Sequence, residues 1–238
     1  MPTATETAGF TGFRPEAIQF MADLVQNNDR AWFQPRKAEY ERLIKQPAEA
    51  LVAALAARFE ARGLPLRADP KRSVFRIYRD TRFSKDKSPY KRHIGASFPW
   101  IEGARDDGSD ERRYGNGAYF NFEPGQMYVG GGMWMPDKPR LDAFRAAIVA
   151  DPARVRAALE DPGFIAAFGP VVTHDSLKRL PAGLPADHPM AHLFLFKDVV
   201  FGRHLSDEEV QSPALPDVLT EGYAAAVPVF RFLATLGD

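Results

Sequence analysis

The chain contains no cysteine. Disulfide scaffolds, thiolate zinc sites and thiol nucleophiles are thereby excluded. It has no long hydrophobic run either. The most apolar stretch, residues 50–57, falls far short of the ~20 residues that span a bilayer, so no membrane partner is expected. The opening MPTATETAGF holds no basic patch followed by an apolar segment, and no secretory leader is predicted. Neither sign of charge is in excess. Lys and Arg total 31, Asp and Glu total 31, which argues against coating duplex nucleic acid by charge alone. What is present is 45% hydrophobic residues over 238 positions, enough to build a real core. The expectation is a soluble, cytoplasmic protein, with residues 1–9 disordered and residues 10–238 forming a single domain.

Periodicity divides the chain. Pro15 suits the first turn of a helix whose apolar stripe is Ile18, Met21, Leu24 and Val25. Asn28 or Asp29 can cap a second helix carrying Trp32 and Phe33. A third follows Pro35, and Pro47 restarts or kinks a path that continues helical to Gly63. The period then drops to two. Residues 73–79 alternate, with Phe75 and Ile77 on one face and Val74, Arg76 and Tyr78 on the other. Further strands are expected around Ile94–Phe98, at 117–123 and at 126–130, the last two joined by a type II turn at Glu123-Pro124-Gly125-Gln126. Residues 102–113 are polar and rich in turn formers, and read as a mobile hairpin loop. Helical spacing returns from Lys138, with Asp151-Pro152 and Asp161-Pro162 each reading as a cap and first-turn proline. Residues 192–201 read as a last strand, Ser206–Glu209 as a capping box, and 215–236 as helix broken at Pro228. The predicted class is α+β, an antiparallel sheet packed against N-terminal and C-terminal helices.

Charge is uneven in one place. Residues 76–98 carry Arg76, Arg79, Arg82, Lys85, Lys87, Lys91 and Arg92 against only Asp80 and Asp86, a net +5 in a neutral chain. If Phe75, Ile77, Phe120 and Phe122 face the helices, then Arg76, Tyr78, Tyr119, Asn121 and Tyr128 share the opposite face. Phenols, an amide and a guanidinium there can hydrogen-bond a ligand. Phe83 and Tyr90 are the candidate anchors for the loop. Arg76, Tyr78, Arg79, Arg82, Tyr90, Lys91 and Tyr119 are the candidate ligand-binding residues, with an anionic or phosphate-bearing small molecule as the expected partner. Should chemistry follow, Asp80 or Asp86 are the acid–base candidates, and Lys87 or Lys91 would stabilise developing negative charge. Two alternatives stand beside this one. A single-stranded nucleic acid could stack on the aromatics. Or the cations could be paired internally, in a structural or protein-interaction domain.

Other motifs carry less. His188 and His192 are four apart, but Pro189 interrupts a helix through both and no third ligand is evident, so no metal is expected. His188 reads as a turn residue. Ser84 lacks the glycine pattern of a nucleophile elbow. Gly130-Gly131-Gly132 lacks the Lys-Ser/Thr of a phosphate loop and reads as a close approach or bulge. No cofactor is called for.

The segment RIYRDTRFSKDKSPYK resembles the signature of the family catalogued as domain of unknown function 2461. The matching positions are Arg76, Arg79, Asp80, Arg82, Phe83, Ser84, Asp86, Lys87, Pro89, Tyr90 and Lys91. The likeness extends to residues 28–33, to Gly130-Gly131-Gly132 with Trp134, to residues 177–181 and to residues 187–189. It covers nearly the whole chain beyond residue 9. The chain departs from the pattern at Ala182, where a basic residue is common, and at Tyr78, where asparagine often stands. The resemblance implies a site around the basic segment and brings no activity, catalytic residues or cofactor with it.

Overall fold

The computed structural model describes residues 9–102 and 115–236. The disordered terminus expected at 1–9 and the loop expected at 102–113 lie outside these residues, save for Gly9 and Glu102. Helices and one antiparallel sheet make up the described structure, as the α+β reading requires.

The N-terminal quarter is helical: α1 (Pro15–Gln26), α2 (Arg30–Phe33), α3 (Lys37–Tyr40) and α4 (Gln46–Arg62). The buried stripe of α1 is Ala17, Phe20, Met21 and Leu24, rotated slightly from the expected one. Asp29 caps α2 by accepting the Trp32 N–H. Pro47 does not break the path. A π-turn over Glu41–Lys45 precedes it, with the Gln46 N–H donating to the Glu41 carbonyl, so the helix absorbs the N–H that Pro47 lacks. Gly63 ends α4 in the left-handed conformation, φ 61°.

Strands β1 (Ile94–Pro99), β2 (Asn116–Phe122), β3 (Tyr128–Met133) and β4 (Val199–His204) form a meander in that order. The β2–β3 turn is as expected, with the Gln126 N–H on the Glu123 carbonyl and Gly125 at φ 74°. In register, Ala96, Phe120 and Val129 lie side by side on the core face. Phe13 packs there, 4.4 Å from the Phe122 ring. Gly131 leaves room for the Phe230 ring, and the β3 register runs on unbroken, so the glycine run serves close approach and not a bulge.

Helices α5 (Lys138–Ala150), α6 (Pro152–Leu159) and α7 (Pro162–Phe168) follow the sheet. Asp151 and Asp161 cap the latter two as expected. After β4 come α8 (Asp207–Gln211), opened by the expected capping box, then α9 (Leu215–Ala225) and α10 (Val227–Ala234). The helical break falls at Ala226, just before Pro228. The C-terminal helices lie on β2 and β3, and one hydrophobic cluster from Phe13 to Leu236 joins both helical regions to the sheet.

Two strand expectations are corrected. Residues 192–201 split into a 3-10 turn, Ala191–Leu195, and β4, because Asp198 turns inward between them to accept the Thr173 hydroxyl and the His174 N–H. Residues 73–79 form no regular strand. They touch the chain beside them through two antiparallel bridges, Val74↔Ala96 and Tyr78↔Tyr90. Between these bridges residues 75–77 oppose residues 91–95, so the second segment holds two extra residues. That bulge breaks the alternation. Val74 takes the core side beside Ala96, Ile77 is buried, and Phe75 turns to the face of Tyr119. Phe75 and Ile77 therefore do not share a face.

Candidate functional site

The basic segment folds into two parts with different chemistry. Its loop, residues 79–91, is closed on itself. The Arg79 guanidinium donates to the Asp86 carboxylate at 2.6 Å, to the Ser88 carbonyl at 3.1 Å and to the Ser88 hydroxyl. Its other nitrogen reaches the Ser84 hydroxyl at 3.4 Å. Asp86 also accepts the Ser88 N–H and hydroxyl, both at 2.9 Å. The Ser88 backbone and hydroxyl, and then Arg79, hold the Asp86 carboxyl down at about 2. Arg82 forks onto Asp80, with Nε 3.0 Å from Oδ1 and Nη2 2.7 Å from Oδ2. This contact holds the Asp80 carboxyl well below its usual range. Lys87 caps the Thr81 carbonyl at 2.9 Å.

The loop is anchored from behind. Tyr90 is 1% exposed and stacks on Phe33 with ring centroids 4.1 Å apart. The Asn28 amide imitates a backbone pair: its Nδ2 donates to the Tyr90 carbonyl and its Oδ1 accepts the Tyr90 N–H, both at 3.0 Å. Ser88-Pro89 extends the chain into this clamp. Phe83, the other expected anchor, is 94% exposed, with the Arg82 guanidinium 5.7 Å from its ring centroid.

The second part lies on the open face of the sheet. Phe75, Tyr119 and Tyr128 form a row, with centroids 6.2 Å apart for the first pair and 5.6 Å for the second. The Lys91 ammonium sits 5.0 Å above the Phe75 ring. The Tyr119 hydroxyl donates to Asn121 Oδ1 at 3.4 Å, and Asn121, itself buried, donates to the Gln126 carbonyl at 2.9 Å. Gly95, opposite Asn121 in β1, has no side chain because the Tyr119 phenol fills that space. His93 Nδ1 stands 4.0 Å from Glu123 Oε2 at the rim.

Electrostatics distinguish this face. Lys91 is half-buried, and no carboxylate pairs with it or with Arg76 among the described residues. Burial, and then the neighbouring Arg76 charge, push the Lys91 amine below the usual lysine value. The ring face of Phe75 offsets part of that cost. Burial likewise lowers His93, with Glu123 opposing and Lys91 adding to the shift. Tyr119 and Tyr128 are both raised, chiefly by burial, so each phenol keeps its proton and stays a donor.

Of the candidate ligand residues, Lys91 lies over Phe75, which neighbours Tyr119, and Arg76 lies within electrostatic reach of both Lys91 and Asp80. The structure separates the others. Tyr78 packs toward the helices, 5.6 Å from Tyr90 and 6.5 Å from Phe33 by ring centroid. Tyr90 is a core residue, because its ring fills the space against Phe33, and is not a lining one. Arg79 is spent on Asp86, Ser88 and Ser84, and Arg82 spends its fork on Asp80. The acid–base candidates Asp80 and Asp86 are thus held as ionised partners of arginines, and Lys87 is tied to Thr81. Asn121, expected on an open face, is buried beneath Tyr119. His188 accepts the Met190 N–H at its Nδ1, 3.1 Å away, a turn role. Among the described residues no group of His, Asp and Glu is arranged to hold a metal.

Sequence reading missed Phe75 and His93 as neighbours of Lys91, Glu123 as the partner of His93, and Asn28 as the clamp. His93 lies two residues after Lys91, but only the bulge shows that this spacing leads onto the sheet. Asn28 is 62 positions from Tyr90, and the capping role that the sequence offered it falls to Asp29.

A family model for a conserved hypothetical protein matches residues 16–232. No curated protein and no solved structure matches the chain. The match takes in the clamp at Asn28, the closed basic loop and the open face of the sheet together, and on that coverage the chain belongs to the DUF2461 family.

Proposed function

We propose that the protein binds an anionic small molecule on the open face of its sheet, with Lys91 and Arg76 as the cations that meet it. One observation carries this reading: a half-buried ammonium, pressed by a second cation, with no carboxylate partner among the described residues. Such an arrangement costs free energy in the empty state, and a bound anion relieves it. Tyr119 and Tyr128 add hydroxyl donors, and Phe75 adds an apolar wall. The loop at 79–91 serves as scaffold in this reading. Its internal pairs favour the structural alternative for Arg79 and Arg82, while leaving Arg76 and Lys91 to the ligand. The setting assumed is a single domain over residues 10–238, working in the cytoplasm.

The experiment is thermal unfolding across phosphate, sulfate and carboxylates at fixed ionic strength. An anion present at a hundredfold excess over its dissociation constant should stabilise the wild type by about 2.7 kcal/mol. Arg76→Gln and Lys91→Met should each lose most of that gain. If no anion moves the wild-type midpoint, the reading is wrong. A strand of nucleic acid would instead show affinity that falls steeply with salt and needs many cations, and the loop has already engaged several of them internally.

A further inference from the structure

Lys91 has more than charge to offer. A lysine amine becomes a nucleophile when it is partly desolvated, free of a carboxylate partner and close to another cation. Lys91 meets each condition: it is half-buried over the Phe75 ring at 5.0 Å, no carboxylate pairs with it among the described residues, and Arg76 lies within electrostatic reach. The Phe75 ring beneath it continues the row to Tyr119 and then Tyr128, with ring centroids 6.2 and 5.6 Å apart. The phenols of Tyr119 and Tyr128 keep their protons and can donate to a carbonyl oxygen. The His93–Glu123 pair, at 4.0 Å, can pass a proton at the rim.

We propose, building on the anion site above, that Lys91 condenses with the carbonyl of a small 2-oxo acid whose carboxylate is held by Arg76. The neutral Nζ lone pair attacks the carbonyl carbon, forming a C–N bond as the π pair moves onto oxygen. The oxygen takes a proton from a phenol and the nitrogen gives one up through His93, leaving a carbinolamine. His93 returns that proton to the hydroxyl, which leaves as water while the nitrogen lone pair forms the C=N bond, and the iminium N–H proton goes back to the phenolate. Amine plus ketone thus yields imine plus water, with no change of oxidation state and no co-reactant. A carboxylate next to the carbonyl suits two neighbouring cations, one to hold the charge and one to attack the carbon.

The test is reductive trapping. The full-length protein is incubated with pyruvate and cyanoborohydride, and the labelled lysines are mapped by peptide mass spectrometry. The label is expected on Lys91 before any exposed lysine such as Lys138, and Lys91→Arg should abolish the fast phase. Arg76→Gln should slow trapping of pyruvate but not of uncharged acetaldehyde. Even labelling of all lysines in the wild type overturns the proposal, as does equal labelling of Lys91 by pyruvate and acetaldehyde. Lactate, which carries the carboxylate without the carbonyl, separates the two layers. If lactate raises the melting midpoint while pyruvate fails to trap on Lys91, the anion site stands and the amine chemistry falls. If lactate, phosphate and sulfate all fail to shift it, the anion site itself is lost.

Discussion

The loop at 79–91 and the open sheet face beside it draw on one run of basic sequence, yet they treat charge in opposite ways. In the loop each carboxylate meets a guanidinium: Asp86 one nitrogen of Arg79, Asp80 the fork of Arg82. Beside it Lys91 lies over the Phe75 ring and against the Arg76 charge with no carboxylate at ion-pair distance among the described residues, while Arg76 also feels Asp80 across the loop. Paired, largely hydrated charges cost little and contribute little. An unpaired cation taken partly out of water is a standing cost, and such groups cluster at functional sites. A net charge of +5 therefore says less about function than the way the charges are spent.

Breaking the anchor should produce the largest effect. Tyr90→Ala removes a buried ring stacked on Phe33, and should destabilise the protein by about 3–5 kcal/mol. Chemical denaturation checks this, and a loss no larger than that of a surface substitution would contradict the placement of Tyr90 in the core. Asn28→Ala should come next. It leaves the Tyr90 N–H and carbonyl without partners at a partly buried position, a cost of about 1–3 kcal/mol. Arg79→Ala should cost less than either, since Asp86 stays half in water. It should also erase part of the acid limb of the stability profile. Asp86 titrates at about 2 when folded. Its contribution is present above the ordinary carboxylate value and lost as pH falls through the folded one. A flattened acid limb in Arg79→Ala, measured by unfolding between neutral pH and strong acid, sharpens the contrast.

The smallest effect belongs to the open face. Lys91→Met should change stability at neutral pH by no more than about 0.5 kcal/mol, on the stabilising side. Its pH signature runs in the same sense as that of Asp86, stability rising with pH, but in the alkaline range. The folded Lys91 value is lowered, so the amine destabilises below that value and the penalty fades as pH rises toward the unfolded one. Wild type should gain stability relative to Lys91→Met over that alkaline window. A pH-independent difference would mean that Lys91 is simply solvated.

Much of this arrangement was legible in the sequence. Strict alternation around Phe120 and Phe122 gave the core face of β2, and Pro124-Gly125 gave the turn that sets its register with β3. Asp-Pro pairs marked two helix starts correctly, because a cap acts within one turn of chain. The basic segment pointed to Lys91 and Arg76. What was not legible depended on distant partners. Alternation at 73–79 was real as a pattern, but two extra residues in the facing segment turned Phe75 away from Ile77. Arg79 reads as a ligand residue in the sequence because nothing local reveals that Asp86 and Ser88 fold back onto it. Tyr90 reads as a polar aromatic in a charged loop, and only Phe33 and Asn28, brought from far along the chain, make it a core residue.

The central claim is that Lys91 is an unpaired, partly desolvated cation awaiting an anion. Titration of the Lys91 side chain by NMR, followed at its ε-carbon with and without the anion that most raises the melting midpoint, tests this most directly. The account predicts a free value below that of the exposed lysines such as Lys138, and a rise when the anion binds, because a neighbouring negative charge favours the ammonium. An ordinary lysine titration that the anion leaves unmoved would contradict it.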